Sequence, residues 1–200
     1  TVVVERVTLR QGAQELWVDG NLADSLLLRL RALEIGPLSD LAGIAGYDLA
    51  GKISGEAKLM QLSGQPYYLA DLEVDSIALN QERIGELSLS AETSQDGETV
   101  TVDSRLQGGA KVELAGTYRV SSTQLDLKTK VGRLPLPLLK PFTTGFLSKA
   151  EGDIFGEIDL QGTTTRPELN GFVGLRNAAT RIDYANTYYR FSEEKILLSP

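Results

Sequence analysis

An all-β fold of antiparallel strands is predicted by three observations on this 200-residue sequence. Apolar residues recur at every second position through its centre, tight-turn dipeptides punctuate that alternation, and helical periodicity is scarce. The alternation is cleanest in a central block of hairpins. Glu86–Glu92 places Leu87, Leu89 and Ala91 on one face, with Glu86, Ser88, Ser90 and Glu92 on the other. Asp96-Gly97 then supplies the positive-φ positions of a tight turn. Thr99–Leu106 sets Val100, Val102 and Leu106 opposite Thr101, Asp103 and Arg105, and Gly108-Gly109 turns the chain again. In Ala110–Tyr118, Val112, Leu114 and Tyr118 oppose Lys111, Glu113 and Thr117. Beyond Ser121-Ser122, Leu125, Leu127 and Val131 oppose Asp126, Lys128 and Lys130. These four strands form a meander that is apolar on one side and wet on the other, the pattern of an antiparallel sheet with one covered face.

Two short stretches have helical character, Pro37–Ala45 and Pro137–Ala150, each interrupted by Gly or Pro. They are expected to cap the ends of a β core rather than to form a helical layer. Neither has the Lys/Arg-rich polar face of a membrane-surface helix.

Composition removes whole classes of function. With 42% hydrophobic and 24% charged residues the chain lies in the globular range, long enough for one or two domains. A formal charge of −7, from 27 acidic and 20 basic residues, opposes binding to nucleic acid or anionic headgroups. Cysteine and histidine are both absent, which eliminates disulfides, thiolate metal sites, Ser–His or Cys nucleophiles and the imidazole base. No enzyme activity, cofactor or metal is expected. A chain without Cys suits an oxidising compartment such as a bacterial periplasm. The first residues, TVVVERVTL, contain no initiator Met and no leader pattern, and EEKILLSP closes inside a strand pattern, as expected of a segment of a longer protein. No window approaches the ~18 apolar residues of a spanning helix.

Motif mimics are weak. Gly46 to Lys52 has the spacing of a phosphate-binding loop, yet Ile53 stands where a magnesium-binding Ser/Thr belongs and the following residues alternate as a strand. Asp153, Glu157 and Asp159 alternate along one strand face and resemble an acid–base pair, a spacing that is equally normal for a solvated face.

An internal repeat is the stronger signal. GKISGEAKL at Gly51–Leu59 and GDIFGEIDL at Gly152–Leu160 share Gly, Ile, Gly, Glu and Leu at an offset of 101, and Pro66 and Pro167 keep that offset. Upstream, Pro37-Leu38 and Leu41 match Pro135-Leu136 and Leu139 with a three-residue indel. The unit is far longer than a solenoid repeat and must contain several strands. It divides the chain into residues 1–36, the end of a preceding β repeat; 37–135, a repeat with a short N-terminal helix; and 136–200, the start of the next. Within the repeat strands the apolar face carries Gly51, Ile53, Gly55, Ala57 and Leu59 in one copy and Gly152, Ile154, Gly156, Ile158 and Leu160 in the other. Strand glycines of this kind mark a kink or a close approach.

The ordered set Gly152, Ile154, Gly156, Ile158, Leu160, Gly162-Thr163, then Pro167, Leu169, Gly171, then Leu175 and Asn177-Ala178, resembles the repeat of the AsmA-like and TamB proteins. The tail IDYANTYYRFSEEKILLSP resembles the approach to the C-terminal domain of that family. The resemblance extends over Gly132–Pro200 and, less fully, Pro37–Leu59; Gln61–Gln65 replaces the Gly-Thr in the first copy. It implies an elongated antiparallel sheet curled along its length into a β-taco, with short helices between repeats and an apolar inner groove. It also implies a periplasmic segment whose parent chain is anchored in the inner membrane, and a role in conducting or shielding phospholipid acyl chains between the two membranes. Through the full-length chain it implies an Omp85-type (TamA-like) partner in assembly of outer-membrane proteins. The expected groove lining is Ile53, Ala57, Leu59, Leu87, Leu89, Val100, Val102, Val112, Leu114, Leu125, Leu127, Ile154, Ile158 and Leu160. The alternative use of the same groove, or of an open sheet edge, is chaperone-like binding of outer-membrane protein strands. A closed sandwich would print the same alternation. Roughly fourteen strands in one curled stack would run on the order of 65 Å, against a gyration radius of about 16 Å for a compact globule of this length.

Overall fold

The computed structural model describes residues 3–21, 24–37, 48–61, 67–80, 82–143, 147–182 and 187–199. It is a single 12-stranded antiparallel sheet in which strand order equals chain order and the two edge strands do not pair with each other. The strands are β1 (Val3–Gln11), β2 (Gln14–Asn21), β3 (Ser25–Glu34), β4 (Leu49–Met60), β5 (Tyr67–Leu79) and β6 (Glu82–Thr93). They continue as β7 (Thr99–Gly108), β8 (Lys111–Arg119), β9 (Gln124–Pro135), β10 (Leu147–Thr163), β11 (Arg166–Ile182) and β12 (Thr187–Leu198). The predicted meander is β6–β9. The sheet continues without a break across both expected repeat boundaries, β3 pairing with β4 and β9 with β10.

Local chemistry sets each turn. Between β6 and β7 the Asp96 carboxylate accepts hydrogen bonds from the Ser94 hydroxyl and the Glu98 amide, while the Ser94 hydroxyl oxygen accepts from Thr99 N at 2.9 Å. Gly97 takes φ 71°, as the dipeptide requires. The repeat is structural as well as sequential. Gly51 interrupts the register between β4 and β5, and Gly152 does the same between β10 and β11, both with positive φ. A Cβ at Gly55 would overlap the carbonyl oxygen of Asp71 on the next strand, and one at Gly156 that of Phe172. The repeated glycines therefore serve bending and close approach of strands.

One helical expectation is corrected. Pro137–Ala150 is not one helix: a 3₁₀ helix runs from Leu136 to Thr143, and β10 has begun by Leu147, so Ala150 is a strand residue. Pro137 and Pro141 remove amide donors, leaving a short 3₁₀ segment in place of an α-helical ladder. The segment packs Leu136 onto Ala150 and Ala178, with Leu139, Ile154, Leu175 and Phe191 around them. The other helical expectation, Pro37–Ala45, lies outside the described residues apart from Pro37.

Outside this cluster Val74, Ile77 and Ala110 are also buried, at 8%, 7% and 0%, and most other described residues are half-buried or exposed. The accessible surface is 12682 Å², whereas a compact protein of 21.7 kDa exposes about 9,200 Å². Across twelve strands the sheet measures roughly 50 Å along its stacking direction. Among the described residues, no helix is long and apolar enough to cross a membrane.

Candidate functional site

Because directly opposite residues share a face, the register lines the apolar side chains up in rows across the sheet. One row runs Val7, Val18, Leu28, Ala57, Ala70, Ala91, Val102, Gly116, Leu127, Leu160, Leu169. The next runs from β1 to β12 as Leu9, Leu16, Leu30, Gly55, Leu72, Leu89, Ser104, Leu114, Thr129, Ile158, Gly171, Leu198. A third runs Leu33, Ile53, Val74, Leu87, Leu106, Val112, Val131, Gly156, Val173, Ile196. Only Ser104 and Thr129 interrupt the apolar character of these rows.

Every predicted lining residue lies on this face. Val100, Leu125 and Leu59 stand one row further toward the strand ends, Val100 and Leu125 facing Tyr118 between them and Leu59 facing Tyr68. Ile154 differs in its surroundings, packing into the cluster beneath the 3₁₀ helix. All of them are half-buried, neither sealed nor fully open. A closed sandwich would bury such a row completely; here the curled sheet shelters its own apolar face, and the 3₁₀ helix covers one end of it. At the sheet edges the face opens further, with Leu9 and Ile196 each 60% exposed.

The sequence reading missed the contributions of β1–β3, β5 and β11. In β3 and β5 strict alternation fails because Ala32 and Ser76 adopt positive φ at register shifts, so Leu30 and Leu33, or Val74 and Ile77, come to one side three residues apart. The alternation Leu28, Arg29, Leu30, Arg31 was an available signal.

Charge lies mainly on the opposite face, Glu194 of β12, directly opposite Leu175, being an exception. Arg29 meets Glu56 at 2.7 Å, Glu15 holds Arg10 at 3.0 Å and Arg31 at 3.4 Å, and Arg176 lies 3.6 Å from Glu193. The acidic trio of β10 belongs to this ladder: Asp153 pairs with Arg133 at 3.0 Å, Glu157 lies 4.0 Å from Lys130, and Asp159 stands opposite Lys128. Tyr67 donates to Glu92 at 2.6 Å, and that hydrogen bond, more than any burial, raises the phenol pKa above its ordinary value. Phe155 is an apolar residue on this outer face. Its ring lies over Gly174 and edge-on to Phe172 at 6.1 Å, with the Arg176 guanidinium 4.4 Å above it. Depressions on the outer face are small and of mixed character, for example one of about 370 Å³ whose lining includes Glu56, Lys58, Leu69 and Asp71, and one of about 360 Å³ lined by Trp17, Asp19, Leu27 and Arg29. The phosphate-loop mimic is described only from Asp48 onward, and from Leu49 it is the extended strand β4, with no helix N-terminus at Lys52.

Comparison of the chain with protein-family models, with curated proteins and with solved structures finds no match in any of the three.

Proposed function

We propose that the chain is a segment of an AsmA-like, TamB-type periplasmic protein whose apolar groove shields or conducts phospholipid acyl chains between inner and outer membranes. In this reading the parent protein is anchored in the inner membrane and supports outer-membrane biogenesis, acting with an Omp85-type partner through its full length. The observation that carries the proposal is the set of continuous apolar rows on a largely half-buried face that, among the described residues, no second layer covers apart from the 3₁₀ helix at one end. A peptide lying in the groove would need partners for its amide and carbonyl groups. The rows offer it two hydroxyls; an alkyl chain needs none. The acidic, ion-paired outer face keeps the segment away from anionic membrane surfaces.

Organic extracts of the purified segment are expected to contain phospholipid. A photo-activatable residue at Val112 or Ile158 should crosslink to it, and one at Lys111 should not. Crosslinks at Lys111 with none at Val112 and Ile158 would overturn the assignment. Scattering should give a gyration radius well above the compact value of about 16 Å. A second reading is favoured by one observation, the outer edges of β1 and β12, which pair with no further strand among the described residues. Either edge could accept a strand of an unfolded outer-membrane protein by β-augmentation. Strand peptides that bind the segment and leave the lipid content unchanged would support edge binding; peptides that displace lipid would place the strand in the groove.

A further inference from the structure

Ser104 and Thr129 stand on either side of Leu114 in the middle apolar row, directly opposite it on β7 and β9. Both are half-buried, and neither hydroxyl has a hydrogen-bond partner among the described residues. This differs from hydroxyls that the fold uses. Thr93, 1% exposed, accepts a hydrogen bond from Tyr68 N at 3.2 Å, and Ser54 accepts one from Ala32 N at 3.0 Å. On an open face the Ser104 and Thr129 hydroxyls keep water as their partner. An alkyl chain laid across them must strip that water and gives back no hydrogen bond, an unfavourable exchange for each group.

We infer that Ser104 and Thr129 form a hydroxyl step that divides the apolar track, so that acyl chains dwell on the β1–β6 side and cross β7–β9 as a barrier. This rests on the acyl-chain reading proposed above. The β1–β6 leg of the middle row is Leu9, Leu16, Leu30, Gly55, Leu72 and Leu89, with no polar side chain. Its span is about 24 Å, longer than the ~15 Å that one leaflet contributes to a bilayer core. The two hydroxyls lie roughly 10 Å apart, two strand spacings, so a chain centred on Leu114 meets both.

The test places a photo-activatable residue at Leu72 or at Leu114, in the full 200-residue chain, and incubates each protein with phosphatidylethanolamine vesicles. Crosslinking at Leu72 is expected to exceed that at Leu114 by about tenfold, equivalent to about 1.4 kcal/mol. Ser104→Ala with Thr129→Val should raise the Leu114 yield to the Leu72 level, whereas Ser104→Thr, which retains a hydroxyl, should leave the ratio low. Thermal unfolding checks that each variant folds. Equal yields at both sites in the unmodified chain, or a ratio the double variant does not move while Leu72 still crosslinks, would overturn the step alone. No crosslink at either position would overturn the acyl-chain reading and the step with it.

Discussion

The two ends of one apolar face have different fates. Beneath the 3₁₀ helix, Ala150 and Ala178 are each 3% exposed and Leu136 packs on them, forming a small closed core. Further along the sheet, Leu89, Val102 and Leu114 follow the same alternation on the same face and remain half-buried. The strand pattern sets which face is apolar; a neighbouring element decides whether that face becomes core or groove. Here the cover comes from a proline-interrupted segment that is too short to roof more than one end.

Charge substitution breaks this comparison most severely at the covered end. Ala150→Asp puts an unpaired carboxylate into the closed cluster, at an expected cost of about 3 kcal/mol or more. Thermal and urea unfolding should show a strongly lowered midpoint or insoluble protein. A wild-type midpoint would mean that the cluster is open to water. Next in size is Gly55→Val. The new Cβ would collide with the Asp71 carbonyl, and the residue holds φ 139°, a conformation that side chains avoid. A loss of about 2–3 kcal/mol is expected. Gly12, whose Cβ position is clear of any atom within 4 Å, is the comparison glycine. Its replacement by Asn should cost far less because Asn tolerates φ 62°.

In the open part the same chemistry should have a smaller structural and a larger functional effect. Val112→Asp keeps part of its hydration on the half-buried face, so stability is expected to fall by only about 1–2 kcal/mol, while lipid crosslinking at Ile158 falls sharply. Unfolding of this variant would show a closed core, and undiminished lipid would show that acyl chains do not pass this strand. The outer-face partner is Glu113. It stands directly opposite both Arg105 and Lys130, so a reversal to Lys would place three cations in a row and is no neutral control. Glu113→Gln is the milder change, expected to cost about 0.5 kcal/mol, an effect that salt should diminish, with no change in lipid content.

Much of this face was legible in the sequence because period-two alternation survives wherever register is unbroken. The placement of Val112, Val131 and Leu106 on one face followed from spacing and turn chemistry, and the 101-residue offset pointed to equivalent kinks at Gly51 and Gly152. Alternation became unreadable at Ala32 and Ser76, where positive φ at non-glycine positions shifts the phase. Pro137–Ala150 misled because its apolar spacing fits a helix up to the point where β10 takes over the chain. Phe155 sits in the phase of the polar face, and only the glycine opposite it on β11 explains how a ring is accommodated there. Whether the apolar face was open was not readable from alternation, since sandwich and groove share it.

The smallest expected effect is confined to the turn between β6 and β7, remote from both core and groove. Asp96 accepts hydrogen bonds from the Ser94 hydroxyl and, at 3.0 Å, from the Glu98 amide, and these hold its pKa below the ordinary carboxylate value. A group whose pKa is lower folded than unfolded stabilises the fold above its unfolded pKa, and that contribution disappears as pH falls through the folded value. Acidification should therefore loosen this turn through Asp96, seen as faster exchange of the Glu98 and Thr99 amides, corrected for intrinsic rates, at a pH below the ordinary carboxylate range. Asp96→Asn retains an acceptor oxygen but cannot titrate, so its turn should show the same exchange on both sides of that range. The fully exposed position limits the consequence to the hairpin tip, and the global unfolding midpoint of the variant should follow the parent's at neutral pH. If amide exchange at Glu98 in the parent were independent of pH once corrected for intrinsic rates, the carboxylate would not be what organises the turn, and Ser94 with its bond from Thr99 N would carry that role instead.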